Sequence, residues 1–158
     1  MKHEIKWKLL IPALLLPLAV GGLAALLTGA AMDSYSQVQR PPLSPPGWVF
    51  PVVWSILYIL MGLASYLVLT APVSGERKER ALSLYLLQLA VNFAWPVIFF
   101  KLSAYGGAFF WLLLLLLLAL AAQVLFKHIS NTAGRLLLPY LLWLAFALYL
   151  NLGVWILN

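Results

Sequence analysis

The sequence predicts an all-α integral membrane protein: one domain over residues 1–158, built as a bundle of five transmembrane helices. The first observation behind this is composition. Of 158 residues, 65% are hydrophobic and 9% are charged, a balance outside the soluble range and one that would leave a soluble monomer with more apolar surface than it tolerates. The second is the placement of charge. Residues 9–32, 41–75, 81–100, 102–126 and 136–158 each lack Asp, Glu, Lys and Arg, and crossing a bilayer takes a helix of about 20 apolar residues. The third is pattern. The run Leu112–Leu118 does not alternate, which argues against barrel strands, and lipid offers the backbone no hydrogen bonds, so each crossing should be helical.

Basic residues set the expected orientation. Lys2, Lys6, Lys8, Arg77, Lys78, Arg80, Lys127 and Arg135 fall on one side, and only Arg40 and Lys101 on the other. This places the N-terminus in the cytoplasm, the C-terminus outside, and the first loop on the outer side. The net charge of +6 follows from this bias, with some attraction to anionic lipid, and calls for no nucleic acid. The start resembles a secretory signal peptide, with lysines before an apolar run ending in TGAAM, but the run is longer than a signal core. Without cysteine there is no disulfide or thiolate chemistry.

The first span is expected at about 9–31. Gly21, Ala25 and Gly29 share one face, which lets another helix backbone come close or a flat ligand lie against it. Residues 33–47 form the longest loop. MDSYSQVQ can begin with a short helix capped by Asp33 or Ser34, and the prolines of RPPLSPPG then enforce extended geometry. The second span covers 47–70, with Pro51 in its first turn, where a missing donor costs little. GERKER is read as a solvated charge run before the third span at 81–100, which Pro96 should kink against the carbonyl of Asn92. The fourth span, 105–126, carries seven consecutive leucines and reads as the most lipid-facing. The fifth covers 136–157. No internal repeat is evident.

Polar groups inside a membrane are functional candidates. Gln88, Asn92 and Trp95 share a face of the third span. Tyr140, Trp143, Ala147 and Asn151 do so on the fifth, and Trp54, Tyr58, Met61 and Ser65 on the second. Each stripe alone is explained by helix packing with interhelical hydrogen bonds averaging ~0.6 kcal/mol. Three together suggest the wall of a pocket, since pockets for apolar ligands combine aromatic lining with a few placed polar groups. Trp48, Tyr149 and Trp155 fit the interfacial belt. No ionisable residue stands at mid-membrane, which counts against proton-coupled transport. His3 and His128 read as solvated rather than as haem ligands, no cluster supports a metal site, and no nucleophile–base set is visible.

The stretches PPLSPPGWVFPVVWSILYILMG, QLAVNFAWPVIFF and LLLPYLLWLAFALYLNLGVW together resemble the translocator protein family, also called TspO/MBR or peripheral-type benzodiazepine receptor. The resemblance covers nearly all of the chain after residue 30. It implies a five-helix bundle, usually a homodimer, with a hydrophobic cavity capped by the first loop. It implies ligands such as protoporphyrin IX and haem, isoquinoline carboxamide and benzodiazepine drugs and, in animals, cholesterol, with no required cofactor. Carried over residue by residue, the cavity is lined by Trp54, Asn92, Trp95, Trp143, Ala147 and Leu150, and the lid contributes Tyr35 and Pro45. Some bacterial members are reported to degrade porphyrin in light, and Trp54 and Trp143 are then the candidate catalytic residues.

There are departures. The lid has Ser34-Tyr35 where Trp-Tyr is common. Leu152 and Ile156 occupy the places of the animal sterol motif, which argues against cholesterol and for a bacterial member in a cytoplasmic membrane. Arg135 with Tyr140 fits only the reversed sterol pattern, and such patterns are weak. The leading expectation is a receptor or translocator for tetrapyrroles, with a porphyrin-degrading enzyme and a small-molecule transporter as alternatives.

Overall fold

Because lipid cannot satisfy backbone N–H and C=O groups, the spans must close their hydrogen bonds internally, and among the described residues every regular element is helical. The structure, a computed structural model, describes residues 4–158. The expectations placed on Lys2 and His3, and on the side chain of Ser34, lie outside what is described. The order is α1 (Trp7–Thr28), a 3-10 turn (Gly29–Ala31), α2 (Met32–Tyr35), α3 (Val49–Thr70), α4 (Gly75–Pro96), a π turn (Val97–Lys101), α5 (Tyr105–Ile129), α6 (Asn131–Leu136) and α7 (Leu138–Leu157). With their flanking turns, α1, α3, α4, α5 and α7 are long and apolar enough to cross a membrane, as the sequence predicts.

The spans close into a ring. α1 packs on α3 and α4, α4 on α5, and α5 on α7, while α6 packs on both α3 and α5. The seam between α3 and α7 is thus closed at backbone level chiefly through α6, at the start of the fifth span. Farther along it is closed by side chains.

Several boundaries differ from expectation for physical reasons. α4 begins at Gly75, six residues before the uncharged run, so GERKER is helix and not a preceding loop. Charge excludes these turns from lipid, not from helix, and Glu76 and Arg80 pair at i,i+4 at 2.9 Å. The short helix in the first loop starts at Met32, continuous with the 3-10 turn, so Asp33 sits inside its first turn instead of capping it. Pro96 ends the α-helical part of the third span, and the chain continues as a π turn to Lys101. The fifth span is preceded by α6, whose N-cap Ser130 accepts from the Ala133 N–H.

The expectation for the fourth span is overturned. Ala108, Leu112, Leu115, Ala119, Ala122, Gln123 and Phe126 are buried along one face of α5, so it is a central packing helix. α1 is the least buried of the five. A run of identical leucines hides its own periodicity: Leu112 and Leu115 are buried, Leu114 and Leu117 exposed.

Apolar side chains gain little by leaving lipid for protein, so spans associate through close packing on small residues. Only part of the Gly21/Ala25/Gly29 face is used that way. A Cβ on Gly21 would stand 2.2 Å from the Tyr58 ring, whereas Gly29 has open space beside it and Ala25 is exposed. The approach of one spanning backbone to another lies elsewhere. Pro17, inside α1, has no N–H for the Ala13 carbonyl one turn back. That carbonyl rests on Gly62 of α3, where an added Cβ would lie 2.7 Å from the oxygen and 2.8 Å from Leu14 Cα. Backbone cannot yield as a side-chain tip can. Gly62→Val should therefore destabilise the bundle by about 1–3 kcal/mol, while Gly22→Ala, with nothing within 4 Å, should leave it unchanged; thermal unfolding in detergent reads both.

Candidate functional site

The three polar stripes predicted on the second, third and fifth spans meet. Tyr58 of α3 donates to Asn92 Oδ1 of α4 at 2.8 Å. Asn92 Nδ2 donates to the Tyr140 hydroxyl of α7 at 2.8 Å, and that hydroxyl donates to Gln88 Oε1 at 2.7 Å. Gln88 Nε2 ends the chain on Met61 Sδ at 3.9 Å. Each phenol and amide has a partner, as buried polar groups require, and the head-to-tail order sets which way both amides point. A second bridge lies nearer the loop end. Trp95 Nε1 donates to Asn151 Oδ1 at 3.1 Å, and Asn151 Nδ2 donates to the Tyr105 carbonyl at 2.8 Å.

Aromatic rings flank this network in two groups. In the α3–α7 seam, Trp54 stacks on Tyr58 with centroids 5.4 Å apart and meets Tyr140 edge-on at 6.2 Å. One turn earlier on α3, Phe50 meets Trp143 edge-on at 5.9 Å. Trp143 also touches Phe146. Its indole Nε1 is buried and has no hydrogen-bond partner among the described residues. In the second group Trp95 stacks on Phe99 at 5.2 Å, and Tyr35 of α2 meets Phe99 and Phe100 edge-on at 5.8 and 5.3 Å. Arg40 lies 5.8 Å from the centre of the Tyr35 ring. Burial pushes the Tyr35 phenol above its ordinary pKa, with the Arg40 charge pulling the other way.

The eight residues named from the sequence are thus distributed as follows. Trp54 and Asn92 join through Tyr58 and Tyr140. Tyr35 and Trp95 join through Phe99 and Phe100. Trp143 stands beside Phe50, linked to Trp54 through neighbours and not by ring contact. Ala147 and Leu150 are buried on α7, and Pro45 is half-buried in the loop. Phe50, Phe99, Phe100 and Tyr105 escaped the sequence reading. Phe50 was findable, one turn before Trp54. Phe99 and Phe100 were not, because the π turn shifts their register from the 3.6-residue period.

The proline loop is tied to the end of α7. Tyr149 donates to the Pro42 carbonyl at 2.8 Å. Asn158 bonds both ways with the Gln39 backbone, and a Cβ on Gly153 would stand 2.4 Å from Pro41. Leu43 has a positive φ of 67°, the left-handed conformation that side chains disfavour. Tyr149 therefore anchors the loop as well as sitting at the surface, and Trp155 packs against Gly106 and Phe109. Tyr140 is 1% exposed and turned into the network, so the reversed sterol pattern with Arg135 has no accessible tyrosine.

Removing one member of the network strands its partners. Tyr140→Phe should destabilise the bundle by about 1–2 kcal/mol, and a double-mutant cycle with Asn92→Ala should return a coupling of about 0.6–1.7 kcal/mol, both measured by unfolding in detergent.

A model of the TspO/MBR family matches residues 13–156. The human translocator protein is 45% identical over 129 residues, which is 80% of this chain and 76% of the relative. Protein CrtK of Rhodobacter capsulatus is 38% identical over 124 residues, 78% of each chain. The tryptophan-rich protein TspO of Archaeoglobus fulgidus is 31% identical over 151 residues, 94% of this chain and 96% of the relative. With five apolar spans and a family match across nearly the whole length, the chain is a multi-pass integral membrane protein and belongs to the TspO/MBR family.

Proposed function

We propose that this protein is a membrane receptor or translocator that binds porphyrins, protoporphyrin IX and haem among them, and similar planar hydrophobic ligands, in the α3–α7 seam beneath the proline loop. The observation that carries the reading is Trp143. Its buried indole N–H lacks an acceptor among the described residues, at a seam where two helix backbones stand apart and aromatic rings fill the space. A ligand oxygen would complete that hydrogen bond. The rings of Phe50, Trp54 and Trp143 occupy the space a planar ligand needs, so binding exchanges aromatic pairs worth about 0.5–1.5 kcal/mol each for stacking on the ligand. The loop, stiffened by its prolines, loses little entropy on covering it. The relatives' names, translocator protein and tryptophan-rich protein TspO, agree with this reading, and we assign the basic N-terminal side to the cytoplasm.

A second reading, light-dependent porphyrin degradation, draws on the same indoles, which are oxidisable and adjoin the proposed ligand. Titrating protoporphyrin IX in darkness should quench tryptophan fluorescence saturably. Trp143→Phe, which keeps the ring and removes the N–H, should weaken binding about fivefold, the worth of roughly 1 kcal/mol for one hydrogen bond. Unsaturable quenching, unchanged in this variant, would remove the binding proposal. Under light, an unchanged rate of porphyrin loss in Trp143→Phe at saturating ligand would remove the enzymatic one. Tyr149→Phe, which releases the Pro42 carbonyl, should speed ligand dissociation several-fold in stopped flow.

A further inference from the structure

A second site is built on the opposite face of the bundle, away from the proline loop. α1, α3 and α4 leave a slot of about 240 Å³ between them, walled by apolar side chains such as Pro12, Leu16, Leu69 and Leu82. Lys8 stands at its mouth and is the one cation lining it among the described residues. At its floor is Tyr85, which is 2% exposed and whose hydroxyl has no hydrogen-bond partner among the described residues. Ser65 lies beside that phenol; its hydroxyl donates to the Gly62 carbonyl at 2.9 Å, and although its oxygen keeps a free lone pair, the two hydroxyls do not meet in hydrogen-bond geometry.

The depths of these groups define the occupant. Gly62 packs on Ala13, and α3 runs antiparallel to α1. Ser65 therefore lies about two residues, roughly 3 Å, deeper than Lys8, and the Tyr85 phenol lies beside it. From Lys8 to Leu16 the slot runs about 12 Å along α1. It offers a cation at the membrane edge, an unpaired O–H donor a few ångström below, and an apolar channel beyond. A glycerophospholipid presents the matching series: an anionic phosphate, an ester carbonyl a few ångström deeper, then an acyl chain. A free fatty acid would satisfy Lys8 and leave the phenol unpaired.

We propose that this slot holds one acyl chain of an anionic glycerophospholipid from the leaflet on the N-terminal side, with its phosphate on Lys8 and its ester carbonyl accepting from Tyr85.

The test uses the full chain in nanodiscs with a phosphatidylglycerol carrying a diazirine on one acyl chain, and maps the cross-linked peptides. Labelling should saturate and concentrate on the peptides holding Leu9–Leu16 and Leu82–Leu86. Unlabelled phosphatidylglycerol should displace the probe about fivefold better than phosphatidylcholine, the worth of one basic residue near the surface. Lys8→Gln, an exposed position, should erase that preference. Tyr85→Phe should weaken both lipids about fivefold, and Leu86→Trp, at the rim, should block labelling; melting curves confirm that each variant is folded. Labelling spread equally over α5 and α7, or unchanged by Lys8→Gln and Tyr85→Phe in folded protein, would overturn the proposal. So would chain-to-chain cross-links replacing lipid on these peptides, because the slot would then be covered by a second copy.

Discussion

The bundle depends on one constraint: at membrane depth a polar side chain has no water to turn to. Tyr58, Gln88, Asn92 and Tyr140 come from three spans, and each finds its partner on another. Their worth lies less in net energy, since such bonds are modest in a membrane, than in what separation would leave behind. An unpaired amide or phenol in hydrocarbon costs more than the bond returns. The network therefore sets the relative heights of α3, α4 and α7, and with them the level at which the aromatic rings meet.

Two further features follow from that registration. Because α3 and α7 are joined by long side chains and not by small ones, their backbones stay apart, and the seam between them fills with Phe50, Trp54 and Trp143. Where two backbones do touch, at α1 and α3, the contact is of the opposite kind. Gly62 meets a carbonyl whose i+4 donor Pro17 has removed. One side of α3 is thus sealed by glycine and the other is propped by aromatics. The proline loop completes the arrangement by clipping to the last turns of α7 through Tyr149, Gly153 and Asn158. The cover of the seam and one of its walls form a single mechanical unit.

Much of this was legible along the chain. Charge placement marked five spans, and helical spacing picked out Asn92, Tyr140 and Tyr58 as inward-facing. The same spacing misled where local geometry departs from the ideal helix, at the π turn that carries Phe99 and Phe100. It was silent where composition is uniform, as in the leucines of α5, since seven identical residues carry no phase. The small-residue face at Gly21, Ala25 and Gly29 was a real pattern only partly used, because a notch shows where a neighbour can come close but not which neighbour does.

By itself the sequence determined the number of crossings and the faces of α3, α4 and α7 that turn inward, because lipid excludes charge and forces helix, and helix converts spacing into direction. The tertiary structure alone decided which inward groups pair and which remain unpaired. Tyr140 is satisfied, while the Trp143 indole and the Tyr85 phenol are not, although all three are polar aromatics on buried faces. Hydrogen bonding requires an acceptor within about 3 Å at the right angle, and that condition depends on the relative height and rotation of separate helices, which no single span encodes.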